Sequence, residues 1–150
     1  MVLLLACPLA VHADIAIHEL RTAQPGDDVD EYLELSGDPG ESLRGLTYLV
    51  LGDGARGDSG VIEVVIDLDA EVISPRGYLV IAEPTSVLVS GQRMETLNFE
   101  NDDNVTHVLV RGFSGRLGNE LDHDDDGRLD VLPFEAIVDA IAVIFEAPPL

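Results

Sequence analysis

From Asp14 onward the chain is written in short runs that alternate apolar and polar residues, separated by clusters of Gly, Pro, Asp and Asn. A period of two puts successive side chains on opposite faces of an extended strand, so this pattern restricts the chain to β-structure. In the first run Ile15, Ile17 and Glu19 share one face, and Ala16, His18 and Leu20 the other. Residues 30–35 follow the turn Pro25-Gly26-Asp27-Asp28. Residues 46–51 are continuously apolar, as expected of a strand buried on both faces. Residues 61–68 place Ile62, Val64, Ile66 and Leu68 on one side, and Pro75-Arg76-Gly77 turns the chain into residues 78–82. Residues 104–110 and 137–145 bring the total to about seven strands, the number in an Ig-like β-sandwich. Only residues 85–92 and 134–141 have room for a turn or two of helix. With no strand–helix–strand alternation, the expectation is an all-β fold rather than α/β.

Length and charge narrow the rest. At 150 residues the chain supports one domain, and a 46% apolar share is enough for a core. Acidic residues number 29 against 8 basic ones, all arginine, for a net charge of −21. Such a surface repels nucleic acid and anionic lipid, and phosphate contacts would need a basic patch that the sequence lacks. It also repels itself, unless cations bind or screen the carboxylates. A divalent metal is the first expectation from charge alone.

Residues 1–13 read as an export signal. Residues 1–10 are nearly all apolar, and Val11-His12-Ala13 ends in a small residue suited to signal peptidase. No Lys or Arg precedes the apolar stretch, and the alternative is a buried first strand. The stretch is too short to span a bilayer as a helix, so no transmembrane segment is expected after cleavage. Cys7, the sole cysteine, lies within it. Cleavage after Ala13 would leave a domain without disulfides, stabilised by its core, its sheets and a metal. Residues 147–150 read as a linker or a cut end.

Three familiar motifs overlap in residues 52–60. Gly52-Asp53-Gly54-Ala55-Arg56-Gly57 has the dinucleotide-binding spacing, but too few residues follow to form the helix whose N-terminus would hold a pyrophosphate. Gly57-Asp58-Ser59-Gly60 matches the nucleophile motif of trypsin-like proteases, yet after residue 13 only His18 stands upstream as a base, and nothing around it reads as the two-barrel scaffold those enzymes need. Arg56-Gly57-Asp58 is a tripeptide that integrins bind, and in a Gly- and Asp-rich hairpin it reads as a polar loop tip.

The segment Asp122-His123-Asp124-Asp125-Asp126-Gly127-Arg128-Leu129-Asp130 carries more chemistry. Asp122, Asp124 and Asp126 stand at loop positions one, three and five, with Gly127 at six for a sharp bend. Arg128 offers its backbone carbonyl at seven, and Asp130 stands at nine. Calcium takes six to eight hard oxygens at flexible distances, and this spacing supplies most of them. Carboxylates packed this closely raise the cost of ionising one another unless a cation intervenes. An EF-hand would close with a Glu at position twelve, where Pro133 stands, so a further ligand must come from elsewhere, with Glu135 and Asp139 nearest. No nucleophile or base accompanies the loop, which points to a structural calcium and a chain without catalytic activity of its own.

Other polar residues read more plainly. Asn101-Asp102-Asp103-Asn104 is a turn in which Asn and Asp bond their own backbone, and Asn104-Val105-Thr106 fits the glycosylation acceptor pattern. Glu19 and Glu34 interrupt apolar strands and are read as solvent-facing or paired with arginine rather than as a paired-carboxylate site, which would want a cleft with supporting residues. His18, His107 and His123 are isolated and lack zinc-ligand spacing.

Several segments together resemble the lamin-tail domain family of secreted bacterial proteins. These are Ile15-Ala16-Ile17-His18-Glu19-Leu20, Glu31-Tyr32-Leu33-Glu34-Leu35, and Ser42-Leu43-Arg44-Gly45-Leu46. Phe99-Glu100-Asn101-Asp102-Asp103-Asn104, residues 122–130 and Ile137-Val138-Asp139-Ala140-Ile141-Ala142 extend the resemblance over most of residues 14–146. His18 stands where that family has Asn. The resemblance implies an Ig-like β-sandwich with an accessory role and no activity of its own. The expectation is therefore a secreted or cell-surface module that binds or scaffolds a protein or surface partner. The alternative is the accessory domain of a secreted metal-dependent nuclease or phosphoesterase.

Overall fold

The computed structural model describes residues 14–23, 29–54, 58–97, 99 and 104–144. Its elements are β1 (Ala16–Arg21), β2 (Tyr32–Ser36), β3 (Leu46–Asp53), β4 (Ser59–Asp67), β5 (Tyr78–Ala82), β6 (Arg93–Met94), β7 (Val105–Arg111) and β8 (Ala136–Val143). They form two four-stranded sheets, in the orders β1-β2-β5-β6 and β4-β3-β7-β8. The fold is thus an all-β sandwich, with eight strands against the seven expected. The extra strand, β6, is two residues long and pairs parallel to β5, too short to leave a periodic signal. Among the described residues there is no helix. Residues 85–92 form turns, and residues 134–141 run mostly into β8, correcting both helical expectations: strand pairing with β7 takes up the backbone N–H and C=O groups there.

The main core lies between the sheets. Ile17, Leu33, Leu35, Leu79 and Ile81 from the first sheet meet Tyr48, Val50, Ile66, Val105 and Leu109 from the second. A second, smaller core lies on the other side of β3 and β7, where Leu49, Leu51, Ile62, Val108 and Val110 pack with Leu121. Phe113, Leu129 and Phe134 close over it, so the chain between β7 and β8 acts as a cover for that sheet face. This is why residues 46–51 carry no polar alternation: both faces of β3 are buried, and Leu46 to Leu51 are each at most 8% exposed.

Two β-bulges change which side chains share a face. In β4 the register passes from Val50↔Val64 to Leu51↔Ile62, leaving Glu63 as the extra residue. Ile62 therefore joins the outer core while Val64 and Ile66 pack on the inner one, correcting the reading that put all of them on one side. In β1 the register passes from Ile17↔Leu35 to Glu19↔Glu34, leaving His18 unpaired. His18 and Glu19, adjacent in sequence, are both exposed as a result.

Side chains join the sheets at both edges: Arg93 on β6 donates to the Asp67 carbonyl of β4 at 2.6 Å, and β8 meets β1 on the other side. Asp139 on β8 accepts a hydrogen bond from the backbone N–H of Ile17 on β1 at 2.8 Å. Ile17 is buried, and its amide would otherwise lack this partner. Asp139→Ala is expected to lower stability by about 2 kcal/mol, the scale of a charge-assisted bond to a buried donor, as read from urea unfolding.

Candidate metal centre

The acidic loop is held at both ends by the outer core. Leu121 and Leu129 pack beneath it, and the Leu121 carbonyl accepts from the N–H groups of Asp130 (2.7 Å) and Val131 (3.1 Å), closing the loop on itself. The Leu121 N–H in turn donates to the Gly60 carbonyl of β4 at 3.1 Å. Gly60 has a φ of 72°, and a Cβ there would stand 2.9 Å from that of Asp122. Only glycine lets the strand and the loop approach this closely.

Within the loop the carboxylates organise the backbone. Asp122, 1% exposed, accepts from the N–H of Asp126 at 3.2 Å, the N–H of Gly127 at 2.9 Å and the hydroxyl of Ser59 at 2.7 Å. The Ser59 hydroxyl holds the Asp122 carboxyl below the ordinary carboxylate range; burial opposes this, and the N–H groups of Gly127, Asp126 and Asp125 add to the lowering. Asp122 is therefore a carboxylate at neutral pH. Its contribution to stability is present above the ordinary value of 3.8 and is lost as pH falls below it. Asp125 takes the left-handed conformation, with φ 54°, a region that Asp tolerates, and accepts from the N–H of Ser59 at 2.8 Å. Gly127, with φ 82°, makes the sharp bend. Asp130 accepts from the N–H of His123 at 2.9 Å.

Asp122, Asp124 and Asp130 each offer a carboxylate oxygen within 4.8 Å of the others. Three of the five residues expected from spacing are thus brought together. Asp126 stands outside the set and accepts instead from the N–H of Arg128 at 2.9 Å. The two distant candidates are not recruited. Asp139 is committed to Ile17, and the Glu135 carboxyl lies over Gly112. A groove of about 450 Å³ adjoins the loop, lined among others by Leu51, Thr106, Val108, Asp122, Ile137 and Ala140.

Elsewhere, the Ser59 hydroxyl of the protease-like motif donates to Asp122 at 2.7 Å and to Asp125 at 3.3 Å rather than to a histidine. Arg56 and Gly57 of the integrin-type tripeptide, residues 101–103 of the second acidic turn, the export segment 1–13 and the terminus 147–150 lie outside the described residues. A second cluster escaped sequence reasoning. His18, Glu19 and Glu34 offer ligand atoms within 4.8 Å of one another on the first sheet. Glu19 accepts from the Tyr32 hydroxyl at 2.6 Å, and His18 Nδ1 shares a hydrogen bond with Glu34 at 2.8 Å. The signal was the bulge, which no spacing rule reveals.

Among the described residues no helix is long and apolar enough to cross a membrane. Set against protein-family models, curated proteins and solved structures, the chain matches none.

Proposed function

We propose that this acidic β-sandwich is an exported, non-catalytic module for binding or scaffolding, stabilised by a calcium ion in the loop of residues 122–130. The observation that carries the reading is the convergence of the Asp122, Asp124 and Asp130 carboxylates on a loop already folded around the Gly127 bend. Three carboxylates are a hard, all-oxygen donor set, which suits calcium, and calcium accepts the remaining ligands from backbone carbonyls and water. By loop position the Arg128 carbonyl and the Asp126 carboxylate are the further donors such a loop offers. The role is structural because the site ties β4 to the cover over the outer core. It also borders the groove through Asp122 and Gly127, so an ion here would fix one wall of that groove. The lamin-tail resemblance supports the same accessory role, with a protein or surface partner.

The test is a calorimetric titration of the full chain with calcium and, separately, magnesium. Calcium is expected to bind at one site more tightly than magnesium, since magnesium requires near-ideal octahedral geometry and sheds its waters reluctantly. Equal, weak heats from the two cations would reduce the loop to a solvated turn.

A further inference from the structure

We propose a second cation site of different chemistry, in which His18, Glu19 and Glu34 bind a transition-metal dication of the zinc class. These residues lie on the face of the first sheet turned away from the core, whereas the acidic loop lies over the other sheet. The site is made by the β1 bulge. A regular strand would send His18 and Glu19 to opposite faces, but the extra residue leaves both exposed opposite Glu34.

Three further observations favour a cation there. Glu19 and Glu34 are direct cross-strand partners, and like charges in that position destabilise an antiparallel pair. Glu19 accepts from a phenol and Glu34 shares a hydrogen bond with an imidazole, and a dication would neutralise both carboxylates at once. The Tyr32 hydroxyl donates to Glu19 at 2.6 Å, the kind of outer hydrogen bond that orients a ligating carboxylate. The His18 ring rests 4.9 Å from that of Tyr78, which limits how far the imidazole swings.

One imidazole nitrogen with two carboxylates is a borderline donor set that zinc accepts, with bonds of about 2.0–2.2 Å. Calcium prefers oxygen alone, so the two sites sort their metals by chemistry. In the metal-free chain, Nδ1 and the Glu34 carboxylate share a hydrogen bond at 2.8 Å, and zinc would take the place of that shared proton. Three protein ligands leave at least one coordination position open to water or to a donor from another molecule.

The experiment uses the full chain, stripped of metal, with Cys7→Ser to keep the thiol out of the readout. Zinc affinity is measured by competition with a chromogenic chelator, and the His18 imidazole resonances are followed by NMR. Zinc is expected to shift those resonances, and calcium to leave them in place. His18→Ala and Glu34→Gln should each weaken zinc binding by about 100-fold, and Tyr32→Phe by about tenfold. Asp124→Asn with Asp130→Asn should leave it unchanged. A wild-type chain that takes up no zinc overturns the proposal, as does an affinity that His18→Ala does not alter. Zinc binding lost only in the acidic-loop variant would equally overturn it, by placing the ion in the other cluster.

Discussion

Between pH 7 and pH 4 the wild-type protein is expected to lose about 3 kcal/mol of stability relative to His107→Gln. His107 is fully buried between the sheets, its Nδ1 hydrogen-bonded to the Tyr48 hydroxyl and its ring edge-on to Phe99 at 5.0 Å. Its Nε2 is buried without a partner, so a second ring proton would be desolvated and unpaired. Burial accordingly lowers the imidazole pKa from 6.5 to about 4. The unfolded chain takes up a proton below pH 6.5, and the native state does so only near 4. Stability therefore falls as pH drops across that window and is unaffected above it. Protonating surface carboxylates relieves self-repulsion over the same range with the opposite sign, but both proteins share that term. Urea unfolding of the pair at a series of pH values isolates the histidine. Glutamine retains a partner for the Tyr48 hydroxyl and does not titrate. Parallel pH profiles for the two proteins would mean that the buried imidazole is accommodated as a cation.

The second large effect is calcium removal. At a free concentration 100 times its dissociation constant, an ion bound only by the native state adds about 2.7 kcal/mol. For a chain of 150 residues this corresponds to a midpoint about 9 °C higher with calcium than with chelator. The gain should respond to calcium far more than to magnesium at equal ionic strength, because screening alone does not distinguish them. Without the ion, Asp122, Asp124 and Asp130 oppose one another within 4.8 Å, and the metal-free loop carries that repulsion as a standing cost.

The parts legible in the sequence are those that periodicity and local spacing control. Strands β3 and β7 follow apolar runs that both cores demand, β5 follows one that the inner core demands, and the Asp122-x-Asp124 spacing with Gly127 anticipated a closed acidic turn. What escaped depends on events of one or two residues. Glu63 and His18 each add one residue to a ladder, which moves Ile62 to the outer core and sets Glu19 beside His18. Proximity in the chain also misled the choice of extra ligands. Asp139 lies close to the loop in sequence, but β8 carries it to the β1 edge, where the Ile17 amide claims it. Asp126 fitted the spacing, yet its carboxylate turns back to the Arg128 amide within its own turn.

The most direct test of a calcium centre is a thermal melt of Asp124→Asn with Asp130→Asn beside the wild-type protein, each in calcium and in chelator. The double variant is expected to gain nothing from calcium, and in chelator to melt at or above the wild-type midpoint because the loop repulsion is gone. A double variant that still gains several degrees from calcium would place the ion elsewhere. One that melts well below wild type in chelator would make these carboxylates supports of the metal-free loop rather than ligands.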